Sequence, residues 1–238
     1  CEQRGLRYTG SDPRASELAM DKAAAKQAFR HAGLHTPDWV ILEQYHRPKT
    51  YVPWIEQLGL PVVLKPVAGG SSIDITIARD AGTRGRALDA LLDSYSRAML
   101  ESFIPGRELT VGIVGRQALP VLEVVPARSF YDYLAKYDAE SGTKYVFDHA
   151  LGEEVERSLQ AAALEAHRAL GCRDLSRTDF ILDAEGAAQV IEINTIPGFT
   201  KHSLVPMAAR KAGMSLETLV DQLAWMGMKR EALCKEPT

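Results

Sequence analysis

The chain has 238 residues and a net charge of −3, with 28 basic side chains against 31 acidic ones. That balance excludes the basic footprint of a nucleic-acid binder or of a protein drawn to an anionic membrane. No apolar run approaches the roughly 20 residues of a membrane span, and Cys1, Cys172 and Cys234 form neither a metal-ligand spacing nor a disulfide framework; reduced thiols and a cytoplasmic setting are expected.

Residues 1–6 read as the end of a helix entering a turn, so the chain is expected to be a fragment or a processed form. Residues 13–32 have helical composition, closed by Gly33 and Pro37. A short strand is expected over 39–42, a helix over 51–58, and a buried strand over 61–66 that one lysine, Lys65, interrupts. The loop Gly69-Gly70-Ser71-Ser72 follows, then a returning strand over 73–78 and a helix over 83–94. Strands are expected over 99–103, 108–114 and 118–125, with turns at Pro105-Gly106 and Gly115-Arg116. Residues 130–147 form a Tyr-rich stretch of the length usual for a functional or disordered loop. A strong helix over 153–170 ends at Gly171, a hairpin follows, and helices over 204–212 and 215–228 close the chain. This order predicts an α+β protein of two subdomains, each with a sheet, and a ligand between the sheets.

The hairpin carries the chemistry. Arg177-Thr178-Asp179-Phe180-Ile181-Leu182 and Ile191-Glu192-Ile193-Asn194 flank the turn signal Asp183-Ala184-Glu185-Gly186. Pairing symmetric about that turn sets Leu182 against Ala187, Asp179 against Val190 and Arg177 against Glu192. Strand side chains alternate between faces. One face then carries Arg177, Asp179, Glu192 and Asn194, and the other Phe180, Leu182, Ile191 and Ile193. Three hard oxygen donors on a rigid strand pair suit Mg²⁺. A one-residue slip would separate Asp179 from Glu192.

Elsewhere, Gly69-Gly70-Ser71-Ser72 lies between strands, which excludes a Walker A loop; its backbone N–H groups and hydroxyls either fold over phosphates or make a surface turn. Lys65 is costly to bury unpaired. An anionic ligand explains it; a snorkelling edge lysine is the alternative. Glu101-Ser102-Phe103-Ile104 ends a strand before Pro105-Gly106, either as a hinge that reads an adenine edge or as a solvated strand end. Glu108 either holds ribose hydroxyls or is an exposed strand residue.

Together these residues resemble the ATP-grasp enzymes, and among them the D-alanine–D-alanine ligases. The resemblance covers nearly the whole chain. Its most specific pieces are Tyr8-Thr9-Gly10-Ser11, Ala19-Met20-Asp21-Lys22, Phe130-Tyr131-Asp132-Tyr133 with Lys136-Tyr137, and Asn194-Thr195 with Pro197-Gly198, Thr200, Ser203 and Pro206. It implies an ATP-grasp fold, with ATP between two mainly antiparallel sheets. The implied divisions are 1–17 as a remnant of an absent N-terminal domain, 18–103 as a central subdomain, and 104–238 as a C-terminal subdomain with a mobile loop over 130–147.

By resemblance, Lys22 and Lys65 contact ATP phosphates beneath the loop of Gly70, Ser71 and Ser72. Glu101 and the Ile104 backbone read adenine, Phe103 and Ile181 wall its pocket, and Glu108 takes the ribose. Asp179, Glu192 and Asn194 bind two Mg²⁺, with Mn²⁺ as a substitute. Arg177 and the Gly198 N–H form an oxyanion site, and Ser203 and Leu204 hold the carboxylate of the second amino acid. Lys136 reaches the γ-phosphate, and Tyr137 pairs with Ser71 and favours an amine nucleophile. The implied reaction makes an acyl phosphate from ATP and one D-alanine, then the dipeptide with a second, for peptidoglycan precursor synthesis. Relatives are commonly dimers, which implies a homodimer; nucleic-acid and membrane partners are not implied. Another acceptor, or an ATP-binding module inactive as a ligase, are the alternatives. Three departures stand out. Asp74 occupies a place beside the phosphates usually held by glycine, where an extra negative charge should weaken ATP binding, Leu134 one that is often polar, and the acidic residue that holds the first ammonium belongs to a domain this sequence does not contain.

Overall fold

The computed structural model describes residues 1–44, 52–70, 73–126 and 142–230. Its first sheet contains β1 (Trp39–Glu43), β2 (Val62–Pro66), β3 (Thr76–Ala78) and β4 (Arg97–Ser102), in the order β1-β4-β2-β3 with every pair antiparallel. One face packs Leu42, Val62, Leu64 and Leu100 against α3 (Val52–Leu58) and α4 (Ala81–Ser94) through Ile55, Leu88, Leu91 and Leu92. Asp80 caps α4 by accepting from the Thr83 N–H at 2.8 Å. The other face, with Val63, Lys65 and Glu101, is left for a cleft.

The second sheet holds β5 (Arg107–Val114), β6 (Gln117–Ala118), β7 (Leu122–Val125), β8 (Lys144–Val146), β9 (Leu175–Leu182) and β10 (Ala188–Asn194), in the order β10-β9-β5-β7-β8 with β6 on β5. Leu109, Val111, Phe180, Val190 and Ile193 form its core with Leu159 and Ala163 of α5 (Glu153–Ala169) and Phe29 of α2 (Lys22–His31). α6 (Leu204–Lys211) and α7 (Leu216–Lys229) close one end over Val114, Leu119 and Leu175.

Three expectations change. The helix over 13–32 is two helices, α1 (Pro13–Met20) and α2, because Asp21 leaves helical geometry at φ −84°, ψ 98°. Its carboxylate caps α2 by accepting from the Ala24 N–H at 3.0 Å, and its backbone bridges to Ala68. Local capping and a tertiary strand contact override a continuous helical composition. Pro120, with no N–H for the ladder, lies between β6 and β7 and splits the strand expected over 118–125. Of the stretch 130–147, residues 144–146 are a strand paired with β7, and 127–141 lie outside the described residues.

The hairpin register also differs. Leu182 faces Ala188 rather than Ala187, because the Asp183 carboxylate accepts from the Ala187 N–H at 2.7 Å and lengthens the turn by one residue. Continued unbroken, that register would put Ile191 opposite Asp179. A β-bulge after Val190 restores the chemistry: Glu192 pairs with Asp179 and Asn194 with Arg177. Val190 and Ile193 stay in the core, while Ile191, expected with them, turns to the cleft and lines it beside Glu192.

Candidate active site

The two sheets face each other across a cleft lined by Lys22, Lys65, Glu101, Glu108, Thr110, Asp179, Ile181, Glu192 and Leu204, among others. Phe103, Ile104 and Gly106, between β4 and β5, form its back. Gly106 is required there: a Cβ would lie 2.2 Å from the Leu182 carbonyl oxygen. The Arg79 guanidinium lies over the Phe103 ring, 5.6 Å from its centroid.

The wall from the first sheet is a buried ion cluster. Lys65 is 3% exposed and donates to Glu101 Oε2 at 2.6 Å. β2 has β4 and β3 on either side, so the snorkelling edge lysine is not what is found. Glu101, 3% exposed, accepts from Lys26 on its other oxygen. Lys26 is fully buried, donates also to Thr36 Oγ1 at 2.6 Å, and lies over the Trp39 ring. Burial drives the Lys26 ammonium down to about 8 despite the opposing pull of Glu101. Burial works to raise the Glu101 carboxyl, but Lys65 and Lys26 outweigh it and hold it below the usual carboxylate range. Lys22, at the first position of α2, donates to the Gly69 carbonyl at 2.6 Å. The break at Asp21 therefore aims Lys22 at the glycine loop. Of that loop Gly69 and Gly70 are described; Ser71 and Ser72 are not among the described residues.

The opposite wall is a row across three strands. Thr110 on β5 pairs with Asp179 on β9, which pairs with Glu192 on β10. Directly opposed residues hold their Cβ atoms about 5 Å apart. Asp179 accepts from Thr110 Oγ1 at 2.6 Å and from Nε and Nη2 of Arg177, at 2.8 and 2.7 Å. Arg177 thus pairs with Asp179, two residues along its own strand, rather than with Glu192. Asn194 turns its side-chain oxygen to the Ile196 N–H at 2.9 Å. Two carboxylates and an amide oxygen on adjoining strands are the hard donors that Mg²⁺ takes, so the residues present fit that ion in kind. Among the described residues no group of three or more His, Cys, Asp or Glu side chains could hold a metal.

Past β10, Ser203 is the N-cap of α6. Its hydroxyl accepts from the Thr200 N–H at 3.0 Å. A Cβ on Gly198 would lie 2.9 Å from the same oxygen, so this loop is folded tightly on the helix start, and Leu204 reaches the cleft. Lys136 and Tyr137 lie outside the described residues. Asp74 has φ 57° and binds Tyr95 Oη at 2.5 Å, an exposed contact at the end of α4; it does not line the cleft. The charge conflict expected from this departure is therefore relieved by geometry. Sequence reasoning missed Lys26, Thr36 and Thr110. A signal for Lys26 existed: it stands four residues after Lys22 on the same face of a helix otherwise rich in alanine.

The arrangement has relatives. Residues 28–224 match the family described as D-ala D-ala ligase C-terminus. The chain is 40% identical over 235 residues to a D-alanine–D-alanine ligase of Synechococcus sp. (strain JA-3-3Ab), covering 98% of this chain and 72% of that protein. It superposes on the crystal structure of the D-alanine–D-alanine ligase from Bacillus anthracis with a TM-score of 0.86 at 32% identity, covering 96% of this chain and 73% of that one. For the Bacillus anthracis enzyme complexed with ATP the TM-score is 0.83 at 28% identity, covering 96% and 72%. With its nucleotide cleft between two antiparallel sheets, the chain has the ATP-grasp fold and belongs to the D-alanine–D-alanine ligase family.

Proposed function

We propose that this chain joins two D-alanine molecules to D-alanyl-D-alanine at the expense of ATP, as a step toward peptidoglycan precursors. The observation that carries this reading is the opposition, across one cleft, of a buried lysine wall and a carboxylate row. Lys22 and Lys65 hold the phosphates. Phe103 and Ile181 sandwich the adenine, the Ile104 backbone reads its edge, and Glu108 takes the ribose. Both Glu101 oxygens already accept from lysines, so its hold on adenine uses the remaining lone pairs. Asp179, Glu192 and Asn194 would hold two Mg²⁺, with Mn²⁺ as a substitute; when bound, these ions supply positive charge against the phosphoryl group in transfer.

A carboxylate is a poor electrophile. The carboxylate oxygen of the first D-alanine attacks the γ-phosphorus, ADP leaves, and an acyl phosphate results. The amine of the second D-alanine then attacks the acyl carbon and inorganic phosphate departs. Negative charge collects on the carbonyl oxygen in that second step. Arg177, held bidentate on Asp179, would stabilise that oxygen together with the Gly198 N–H, a contribution of roughly 3–4 kcal/mol per good donor. At the N-terminus of α6 the Ser203 hydroxyl and the Leu204 backbone N–H take the acceptor carboxylate, the Ser203 N–H being given to the Thr200 carbonyl at 2.9 Å.

The test measures ADP release and, by mass spectrometry, dipeptide. Both are expected to require D-alanine and Mg²⁺ and to fail with L-alanine. ADP release with another acceptor and none with D-alanine would reassign the substrate. ATP binding without turnover would make the chain a nucleotide-binding module. Light scattering tests the homodimer, and cell fractionation the cytoplasmic setting.

A further inference from the structure

We propose that Lys26 is a positioning residue for phosphate binding, which keeps Lys65 electrostatically available to the nucleotide by sharing Glu101 with it. This rests on the reading of Lys65 as a phosphate ligand. Lys26 does not line the cleft, so it would not touch a nucleotide held there. It acts through Glu101, whose two oxygens are divided between the lysines. The three side chains together carry one positive charge. Without Lys26 they would carry none, and Glu101 would turn wholly to Lys65. A neutral Lys65–Glu101 pair in a site of low dielectric attracts a polyphosphate much less than a cluster with a surplus charge. A second contact fixes the geometry. Lys26 donates to Thr36 Oγ1, which donates at 2.7 Å to the Val190 carbonyl, the last residue before the bulge that turns Glu192 to the cleft. The same ammonium thus braces both walls.

The effect is specific to phosphate, which separates it from a structural role. Calorimetric titration of the full chain with Mg²⁺ present compares adenosine with a non-hydrolysable ATP analogue. In the wild type the analogue is expected to bind much more tightly; equal binding would sink the reading of the phosphate site itself. Lys26→Met is expected to weaken the analogue roughly tenfold or more, with adenosine changed less than about twofold. The double variant Lys26→Met/Glu101→Gln has the surplus charge again, and its ratio of analogue to adenosine affinity should recover most of the loss. An unchanged ratio in Lys26→Met, or no recovery in the double variant, overturns the proposal.

Should Lys26→Met fail to fold, the wild type and Lys26→Arg carry the test by their pH profiles. The groups facing Lys26 are Glu101 from β4, Lys65 from β2, Arg30 on its own helix, the Trp39 ring from β1 and the Thr36 hydroxyl. In the wild type the affinity ratio should fall between pH 7 and pH 9.5, as Lys26 loses its proton near pH 8. In Lys26→Arg, which stays charged, it should stay flat. Equal slopes in the two proteins overturn the proposal.

Discussion

The two walls of the cleft carry similar numbers of charges in opposite physical states. In the first wall, Lys65 and Glu101 of the first sheet and Lys26 of α2 are at most 3% exposed. On the second, the Arg177 and Asp179 side chains keep 13% and 24% of their surface in solvent, and Glu192 is half-buried. A buried cluster cannot rearrange without leaving a charge unpaired, at a cost of several kcal/mol. A wetter pair exchanges partners at little cost, because water takes up what a ligand displaces. On the proposed reading the first wall is a fixed receptor for anions. The second is an adjustable one, where the Arg177 fork can yield an Asp179 lone pair to a cation.

The largest effect expected is on the adjustable wall. Glu192→Gln removes one ligand charge and should lower turnover by about 10³-fold, the equivalent of about 4 kcal/mol. Its unfolding midpoint should stay within about 3 °C of the wild type, since the side chain is half-exposed. Retained activity would show that the carboxylate row is not the metal site. Next comes the hinge that joins the walls. Gly106→Ala forces a Cβ against the Leu182 carbonyl, and a loss of about 3 kcal/mol in denaturant unfolding is expected. A change below about 0.5 kcal/mol would mean that Gly106 does not approach the Leu182 carbonyl as closely as described.

The fixed wall makes a pH prediction of opposite sign for stability and function. The folded-state pKa of Lys26 is about 8, below its ordinary value of 10.5. From pH 8 to 10.5 the unfolded chain binds more protons at this site, so its contribution to stability rises with pH. The penalty for the buried charge is fully present below pH 8 and gone above 10.5. Denaturant midpoints of the wild type measured against those of Lys26→Arg across pH 7–10 should rise; a parallel pair of curves would refute the assignment. The smallest effect belongs to Asp74. Asp74→Gly relieves a left-handed backbone at φ 57° and loses one exposed bond to Tyr95, so stability should move by less than about 1 kcal/mol. Nucleotide affinity should move less than about twofold, since the side chain does not line the cleft; a larger gain would put its charge back beside the phosphates.

The hairpin shows how much could be read locally and where reading stopped. Alternation over residues 177–182 and the turn at 183–186 gave the face of Asp179 from period alone, because strand geometry repeats every two residues. The register did not follow. It depended on an Asp183 side chain that closes the turn one residue later, and on a bulge that corrects the consequence. Neither leaves a periodic trace. Lys65 was legible as an anomaly in an apolar strand, but its counter-ion was not. Glu101 lies diagonally across the strand pair, two residues past Met99, the register partner of Lys65, and 36 positions from Lys65 in the chain.

What the sequence determined by itself was most of the elements, the residue types that phosphoryl transfer needs, and the family. Hydrophobic period, capping and turn chemistry are properties of neighbours along the chain. The tertiary structure decided the rest: the break at Asp21 that aims Lys22 at the glycine loop, the bulge that returns Glu192 to the cleft, and the division of Glu101 between two lysines. Each is a balance struck by burial among residues distant in sequence, where desolvation makes a partner obligatory without saying which one it will be.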